Sequence, residues 1–336
     1  MRIFSGIQPT GRKHLGNYIG AIRQYVEGQQ RAAEAGDVAI YCIVDLHAIT
    51  VAYDPAELRE RVLDTAAILL AAGLDPARCI LFRQGDVQEH TELTWLLSSV
   101  TELGRLNRMH QFRDKSIAQR ELVSAGLLMY PVLMAADVLA YRAHEVPVGE
   151  DQREHLELMR DVAERFNNRY GDVLVVPDQR IPEVGARIRD LQEPERKMST
   201  TGGTEQGTVY VLDDEAAITR KFKRAVTDSE DPPRIAVGAE KPGVTNLVEI
   251  LAVARGQSPG EVVASLAGAR GYGDLKVAVA EAVADWLAPV RERYAEIRPD
   301  VDALETTLEA GAEKARAIAS ETLRDVRRVM GVGPAR

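Results

Sequence analysis

Three short apolar runs separated by stretches of helical period constrain this chain most. Residues 3–7 (Ile-Phe-Ser-Gly-Ile) read as a buried strand, 38–44 (Val-Ala-Ile-Tyr-Cys-Ile-Val) are apolar throughout, and 79–82 (Cys-Ile-Leu-Phe) form another such run. A strand apolar at every position buries both faces, so it needs neighbouring strands beside it and helices above and below. Between the first two runs Leu15, Ile19, Ile22 and Val26 recur three or four apart, and Gly36 stops that helix. Between the second and third, Asp54-Pro55 opens a helix that Gly73 closes, with Asp at the cap and Pro in the first turn. Strand, helix, strand, helix, strand in this order predicts an α/β fold with a doubly wound parallel sheet. Such sheets bind ligands at the carboxyl ends of their strands.

Helical patterns dominate from about 91 to 141, a brief strand is expected at 145–148, and a helix at 151–170. The stretch 176–207 is rich in Pro, Gly and charge and reads as loop. Beyond it, helices are expected at 214–226, 246–254, 259–266, 274–294 and 303–330. A length of 336 residues suits two domains. We divide them as 1–205, an α/β domain with a helical insertion at about 91–140, and 206–336, a helical domain.

A formal charge of −9 argues against a general polyanion binder but leaves room for a local basic face. Two cysteines exclude a disulfide scaffold and a four-thiolate metal site, and no His/Cys/Asp set has zinc spacing. The most apolar long stretch, 122–141, contains Pro131 and Asp137 and reads as a buried helix rather than a membrane span. The N-terminus lacks the apolar core of a secretory signal, so a cytoplasmic location is expected.

Two stretches carry chemistry. Gly6-Ile-Gln-Pro-Thr-Gly-Arg-Lys-His-Leu-Gly-Asn17 lies at the first strand–helix junction. The helix opening near Leu15 aims free N–H groups and a positive dipole end there. His14 can bond a phosphate, and Gly16 lets a ligand approach the backbone. A ligand-free loop would read the same way, and the pattern is neither GxxxxGK[ST] nor GxGxxG. Glu195-Arg-Lys-Met-Ser-Thr-Thr-Gly-Gly203 combines a cation, hydroxyls and glycines that could wrap a polyphosphate; by itself it also reads as a solvated linker. Asp137 shares a helical face with Met134 and Tyr130, and a carboxylate there is costly unless paired locally or with a ligand. Six cations between Lys314 and Arg336 and the pairs Arg220-Lys221 and Lys223-Arg224 read as phosphate-facing patches or solvated faces. His90, His110, His144 and His155 belong to no motif and read as ordinary.

Taken together, His14-Leu-Gly-Asn17 and Lys197-Met-Ser-Thr-Thr201 resemble the paired signatures of class I aminoacyl-tRNA synthetases. The wording at 4–11, 15–21, 44–50, 130–137, 146–152 and 225–229 is similar to the bacterial tryptophanyl-tRNA synthetase family, and the resemblance spans nearly the whole chain. It implies a Rossmann-like catalytic domain followed by a helical tRNA/anticodon-binding domain. It implies ATP-dependent attachment of L-tryptophan to tRNA(Trp) through tryptophanyl-adenylate, with Mg²⁺ carried on the ATP phosphates. A homodimer and no membrane association are expected, with the helices at 91–140 as the candidate interface.

The resemblance also assigns roles. Gln8, Pro9, Thr10, His14, Gly16 and Asn17 would cradle ATP; Gly149, Glu150 and Asp151 would meet its ribose and adenine, and Ile188 would lie against adenine. Lys197, Met198, Ser199, Thr200 and Thr201 would close over pyrophosphate, with Lys197, Lys115 and Gln8 carrying the catalytic work. Asp137 would accept the indole N–H between the walls Phe4, Met134, Val146 and Val148. Tyr130 and Gln152 would hold the amino group, and His47 the carboxylate side. The second loop departs from the family pattern: Thr200 stands where a second lysine is usual, so one fixed cation is missing, and N–H groups at Gly202-Gly203 would have to compensate. The rivals are a tyrosine-specific enzyme, an adenylyltransferase without tRNA, and a non-catalytic paralogue. Met134-Ala-Ala-Asp137 favours indole, and the C-terminal cations favour tRNA.

Overall fold

Five parallel strands form one sheet in the order β3-β2-β1-β4-β5, with β1 at Ile3–Ile7, β2 at Ala39–Ile43, β3 at Cys79–Arg83, β4 at Glu145–Pro147 and β5 at Asp178–Arg180. The computed structural model describes residues 1–109, 123–147, 152–180, 188–199 and 203–334. The register pairs Ile3 with Ala39, Ala39 with Cys79, Ile3 with Glu145 and Glu145 with Asp178.

Successive strand residues point to opposite faces, and both faces are covered. Ile3, Ile7, Tyr41, Ile43 and Leu81 enter one core with α1 (Leu15–Asn17), α2 (Arg23–Glu34) and α4 (Pro55–Ala72). Phe4, Ile40, Cys42, Ile80, Phe82 and Val146 enter the other with α5 (Glu89–Ser98), α7 (Ala125–Leu139) and α8 (Arg153–Tyr170). Among the described residues, this half also has the short helices α3 (Asp45–Ala48) and α6 (Leu103–Arg108). The expected caps form: Asp54 accepts from the N–H groups of Ala56 and Glu57 at 2.9 and 2.8 Å, and Gly73 ends α4 with φ 114°.

The chain steps outward from β1 to β2 to β3, then returns to the other side of β1 for β4. That reversal makes β1 and β4 the topological switch point, and doubly wound sheets take their ligands at the carboxyl ends of the strands there.

The C-terminal part contributes α9 (Glu215–Lys223), α10 (Pro242–Arg255), α11 (Pro259–Ser265), α12 (Tyr272–Ile297) and α13 (Val301–Met330). Leu247 and Val283 share a core with Ile3, while Ala315 and Val326 share the other with Phe82. Each core therefore draws on residues either side of position 205. Helix α13 turns back onto β3, and Gly311 passes so close that a Cβ there would overlap the Leu81 carbonyl oxygen.

Two features differ from the sequence reading. β5 lies within the stretch read as loop: Asp178-Gln179-Arg180 is polar and pairs with β4 through its backbone, so it carries no apolar signature. The first helix is interrupted by a π-turn at Tyr18–Ile22, which joins α1 to α2 without breaking the apolar stripe.

Candidate active site

One end of the candidate site is built where β1 runs into α1. His14 caps α1: its Nδ1 accepts the N–H of Asn17 at 3.3 Å, and its own N–H donates to Asn17 Oδ1 at 3.1 Å. With Nδ1 an acceptor, the ring proton sits on Nε2. Burial lowers the pKa of His14 from 6.5 to about 4, helped by the charges of Lys197 and Lys13, so the ring is neutral at neutral pH. The loop before it is braced from within. Lys13 Nζ donates to the carbonyls of Gln8 at 2.7 Å and Thr10 at 3.4 Å, and burial lowers its pKa to about 8.

The second loop is held against the first. Met198 N–H donates to the Ile188 carbonyl at 2.9 Å, Leu15 N–H to Val209 at 2.8 Å, and Val211 N–H to Lys13 at 2.9 Å. Leu15, Ile188, Met198 and Val209 are buried in one core, and a Cβ at Gly16 would lie 3.0 Å from the His14 ring and 3.7 Å from Ile188. Lys197 is exposed at the rim, near enough to His14 to lower its pKa. Leu15 and Met198, the chain neighbours of His14 and Lys197, thus share one core although they stand 183 positions apart.

The other end is a buried polar cluster under an aromatic wall. Asp137, on α7, is 2% exposed. His47 Nε2 lies 2.7 Å from its Oδ2, while His90 Nδ1 and Gln84 Nε2 both lie 2.6 Å from its Oδ1. Burial alone would push this carboxyl up; the attraction and hydrogen bonds of His47 and His90 outweigh it and hold it well below the usual carboxylate range. A carboxylate offers about four acceptor positions. Among the described residues three are filled, which leaves one on Oδ2. Phe4 is buried beside the cluster and stacks on Tyr141 at 5.3 Å between ring centroids. The His47 ring is edge-on to Tyr130 at 6.3 Å, and the Tyr130 hydroxyl lies 2.8 Å from His155 Nε2. Met134 is half-buried on the same helix face, and Gln152 stands at the N-cap position of α8.

Phe4, His47, Tyr130, Met134 and Asp137 therefore converge on one end, and Gln8, Pro9, Thr10, His14, Gly16, Asn17, Ile188 and the start of the second loop on the other. Lys115, His110, Val148, Gly149, Glu150, Asp151, Thr200, Thr201 and Gly202 lie outside the described residues. Five partners escaped the sequence reading. Lys13 sits inside the quoted loop, but nothing local marks its inward turn. Gln84 follows β3, at the carboxyl edge where ligand groups are expected. His90 and His155, read as ordinary, are bonded to Asp137 and Tyr130. Tyr141 was within reach, four residues after Asp137 and so one turn along the same face.

The family profile described as tRNA synthetases class I (W and Y) matches residues 1–288. A tryptophan--tRNA ligase from Caldanaerobacter subterraneus subsp. tengcongensis is 46% identical over 98% of this chain and 98% of its own. The crystal structure of tryptophanyl-tRNA synthetase from Mycoplasma pneumoniae superposes with a TM-score of 0.90 at 33% identity, covering 99% of this chain and 98% of that one. The enzyme from Campylobacter jejuni, solved with ADP and tryptophan, superposes at 0.81 and 33% identity, covering 99% of this chain and all of its own. The fold, the paired loops and these full-length likenesses agree: the chain belongs to the class I tRNA synthetases and, among them, to the tryptophan--tRNA ligases.

Proposed function

We propose that the two ends of this site perform tryptophan activation and tRNA(Trp) charging with the following division of labour. The tryptophan carboxylate attacks the α-phosphate of ATP, the bond to the β-phosphate breaks, and pyrophosphate leaves. The terminal ribose hydroxyl of tRNA then takes the acyl group and AMP departs. No protein nucleophile is required; the chain positions reactants and stabilises charge on the phosphates.

At the phosphate end, Gln8, Pro9, Thr10, Gly16 and Asn17 cradle ATP over the opening of α1. His14 donates from Nε2, the nitrogen its capping bond leaves protonated. Ile188 lies against adenine, beside Gly16. Gly149, Glu150 and Asp151 take the ribose side, Lys115 reaches the phosphates, and Lys197, Met198, Ser199, Thr200 and Thr201 fold over the leaving pyrophosphate. At the other end, Asp137 accepts the indole N–H on its open Oδ2 position, with Phe4 and Met134 as walls. Tyr130 and Gln152 hold the amino group, and His47 sits at the polar end of the substrate, tied to Asp137. The ADP and tryptophan bound by the Campylobacter jejuni relative support this pairing of ligands.

Mg²⁺ fits as an ion carried by ATP. Among the described residues no group of three His, Cys, Asp or Glu could cage a metal, and the phosphate end is lined by Lys13, His14 and Lys197. Bound to the phosphates, the ion supplies charge neutralisation. The basic clusters of 206–336 are proposed to meet tRNA. A homodimer is proposed through the 91–140 region, where Trp95 is 75% and Leu103 61% exposed. No helix among the described residues is long and apolar enough to cross a membrane, and cytoplasmic action is proposed with the rest.

The observation that carries this reading is the packing of the two signature loops into one core, where Leu15, next to His14, and Met198, next to Lys197, are buried with Ile188 and Val209. The test is ATP–pyrophosphate exchange. Tryptophan supports exchange and tyrosine does not, and Lys197→Ala slows single-turnover adenylate formation by about 10²-fold while tryptophan binding changes little. Exchange that needs tyrosine instead, or a Lys197→Ala enzyme as fast as the parent, overturns it.

A further inference from the structure

Asp137 is not held by the pocket alone. Behind it runs a second line of buried groups that the proposed reaction does not use. His90 Nδ1 lies 2.6 Å from Asp137 Oδ1, and His90 Nε2 lies 2.5 Å from the Tyr141 hydroxyl. His90 and Tyr141 are both fully buried. An ionised carboxylate only accepts, so His90 Nδ1 carries the proton. Burial pushes the Tyr141 hydroxyl well above its usual range, so it stays protonated and donates to Nε2. The chain therefore has one polarity: Tyr141 to His90 to Asp137.

The other face of Tyr141 does related work. Its ring stacks on Phe4 with planes 13° apart and meets Phe82 edge-on at 5.8 Å. A single tyrosine thus touches the aromatic wall of the slot and the chain that ends on its acceptor. Gln84, whose Oε1 accepts the Leu46 N–H at 3.1 Å, fills the second position on Oδ1. With Oδ1 saturated from behind, the open acceptor position is confined to Oδ2.

We propose that His90 and Tyr141 are positioning residues for amino-acid selection, fixing Asp137 so that its one open acceptor position meets the ring N–H of tryptophan. This rests on the reading of Asp137 as the indole acceptor. Packing alone does not call for such a chain, since buried polar groups cost free energy that apolar side chains of similar volume avoid.

The test compares tryptophan with its benzothienyl analogue, in which sulfur replaces the ring N–H at nearly the same shape. In pyrophosphate exchange the parent enzyme prefers tryptophan in kcat/KM. His90→Leu and Tyr141→Phe lower that preference about tenfold or more, the scale of a hydrogen bond to a charged group. The loss falls on the amino-acid KM and leaves the KM for ATP within about twofold. His90→Asn, whose amide N–H can stand in for Nδ1–H, recovers most of the preference. Tyr141→Phe keeps the stack on Phe4 and removes one oxygen, so it reads the chain even if His90→Leu does not fold. Equal losses for both substrates overturn the proposal and leave His90 and Tyr141 as packing. A parent enzyme indifferent to the ring N–H, with Asp137→Asn equally indifferent, overturns the Asp137 reading itself and the proposal with it.

Discussion

His14 caps a helix with one nitrogen of its ring and offers the other to the proposed ATP site. Its Nδ1 is spent on the Asn17 N–H, which leaves Nε2 as the nitrogen for the proposed phosphate contact. Its depressed pKa makes that arrangement pH-sensitive. The unfolded chain binds a proton here below the usual 6.5, while the folded chain resists until about 4. Between those values the unfolded state holds more protons, so this contribution is present above 6.5 and is lost as pH falls towards 4. Its size is on the order of 3 kcal/mol. His14→Asn keeps a good capping residue and removes the titration. Urea unfolding at pH 7.5 and pH 5 should show the Asn variant losing less stability on acidification than the parent. Parallel losses would mean that His14 titrates normally.

At the scale of elements, α13 and β3 meet backbone to backbone. Gly311 is what allows it, because any Cβ there runs into the Leu81 carbonyl. Gly311→Ala should therefore destabilise by about 2–3 kcal/mol or force the helix away from the sheet. Gly260, within α11, has nothing within 4 Å of the corresponding position. Gly260→Ala should be neutral or stabilise by up to about 1 kcal/mol, because alanine is the better helix former. Urea midpoints read both, and a Gly311→Ala protein as stable as its parent would disprove the close approach. The same helix fastens elements that hold the cluster around Asp137. Arg316 donates to the Asp86 carbonyl at 2.7 Å beside Gln84, and Ser320 donates to Glu89 at 2.5 Å beside His90.

Across the whole molecule, charge is distributed against its total. The chain carries −9, yet the last helix ends in Arg324, Arg327 and Arg328. Two of these form ion pairs among the described residues: Arg327 lies 3.3 Å from Glu92, and Arg328 3.0 Å from Asp325, which also meets Arg142 at 2.5 Å. Such half-exposed pairs contribute little to stability, about 0–1 kcal/mol each. Replacing all three arginines with glutamine should leave folding and pyrophosphate exchange nearly unchanged. It should weaken tRNA charging and flatten its salt dependence, by up to about one unit of logarithmic slope for each phosphate no longer neutralised. An unchanged slope would move the tRNA surface elsewhere, with the exposed Arg220, Lys223 and Arg224 the next to neutralise; Lys221, expected from the sequence to face phosphate with them, is instead buried, donating to Asp213 and to the Thr208 carbonyl at 2.7 Å.

Elements were legible in the sequence because what makes them is local. The apolar runs at 3–7, 38–44 and 79–82 fold as β1, β2 and β3, and Asp54, Pro55 and Gly73 bound α4 as their conformational preferences dictate. The edge strand β5 was not legible, since its stability comes from β4 rather than from its own side chains. The family likeness was also a property of the sequence, carried by the wording around His14 and Lys197. What holds Asp137 was decided only by the tertiary structure. His47, Gln84 and His90 stand 90, 53 and 47 residues from it, on separate elements. A buried carboxylate must be paired, and that requirement is readable from position 137 alone; which side chains meet it depends on how α3, β3, α5 and α7 pack, and no local pattern encodes that.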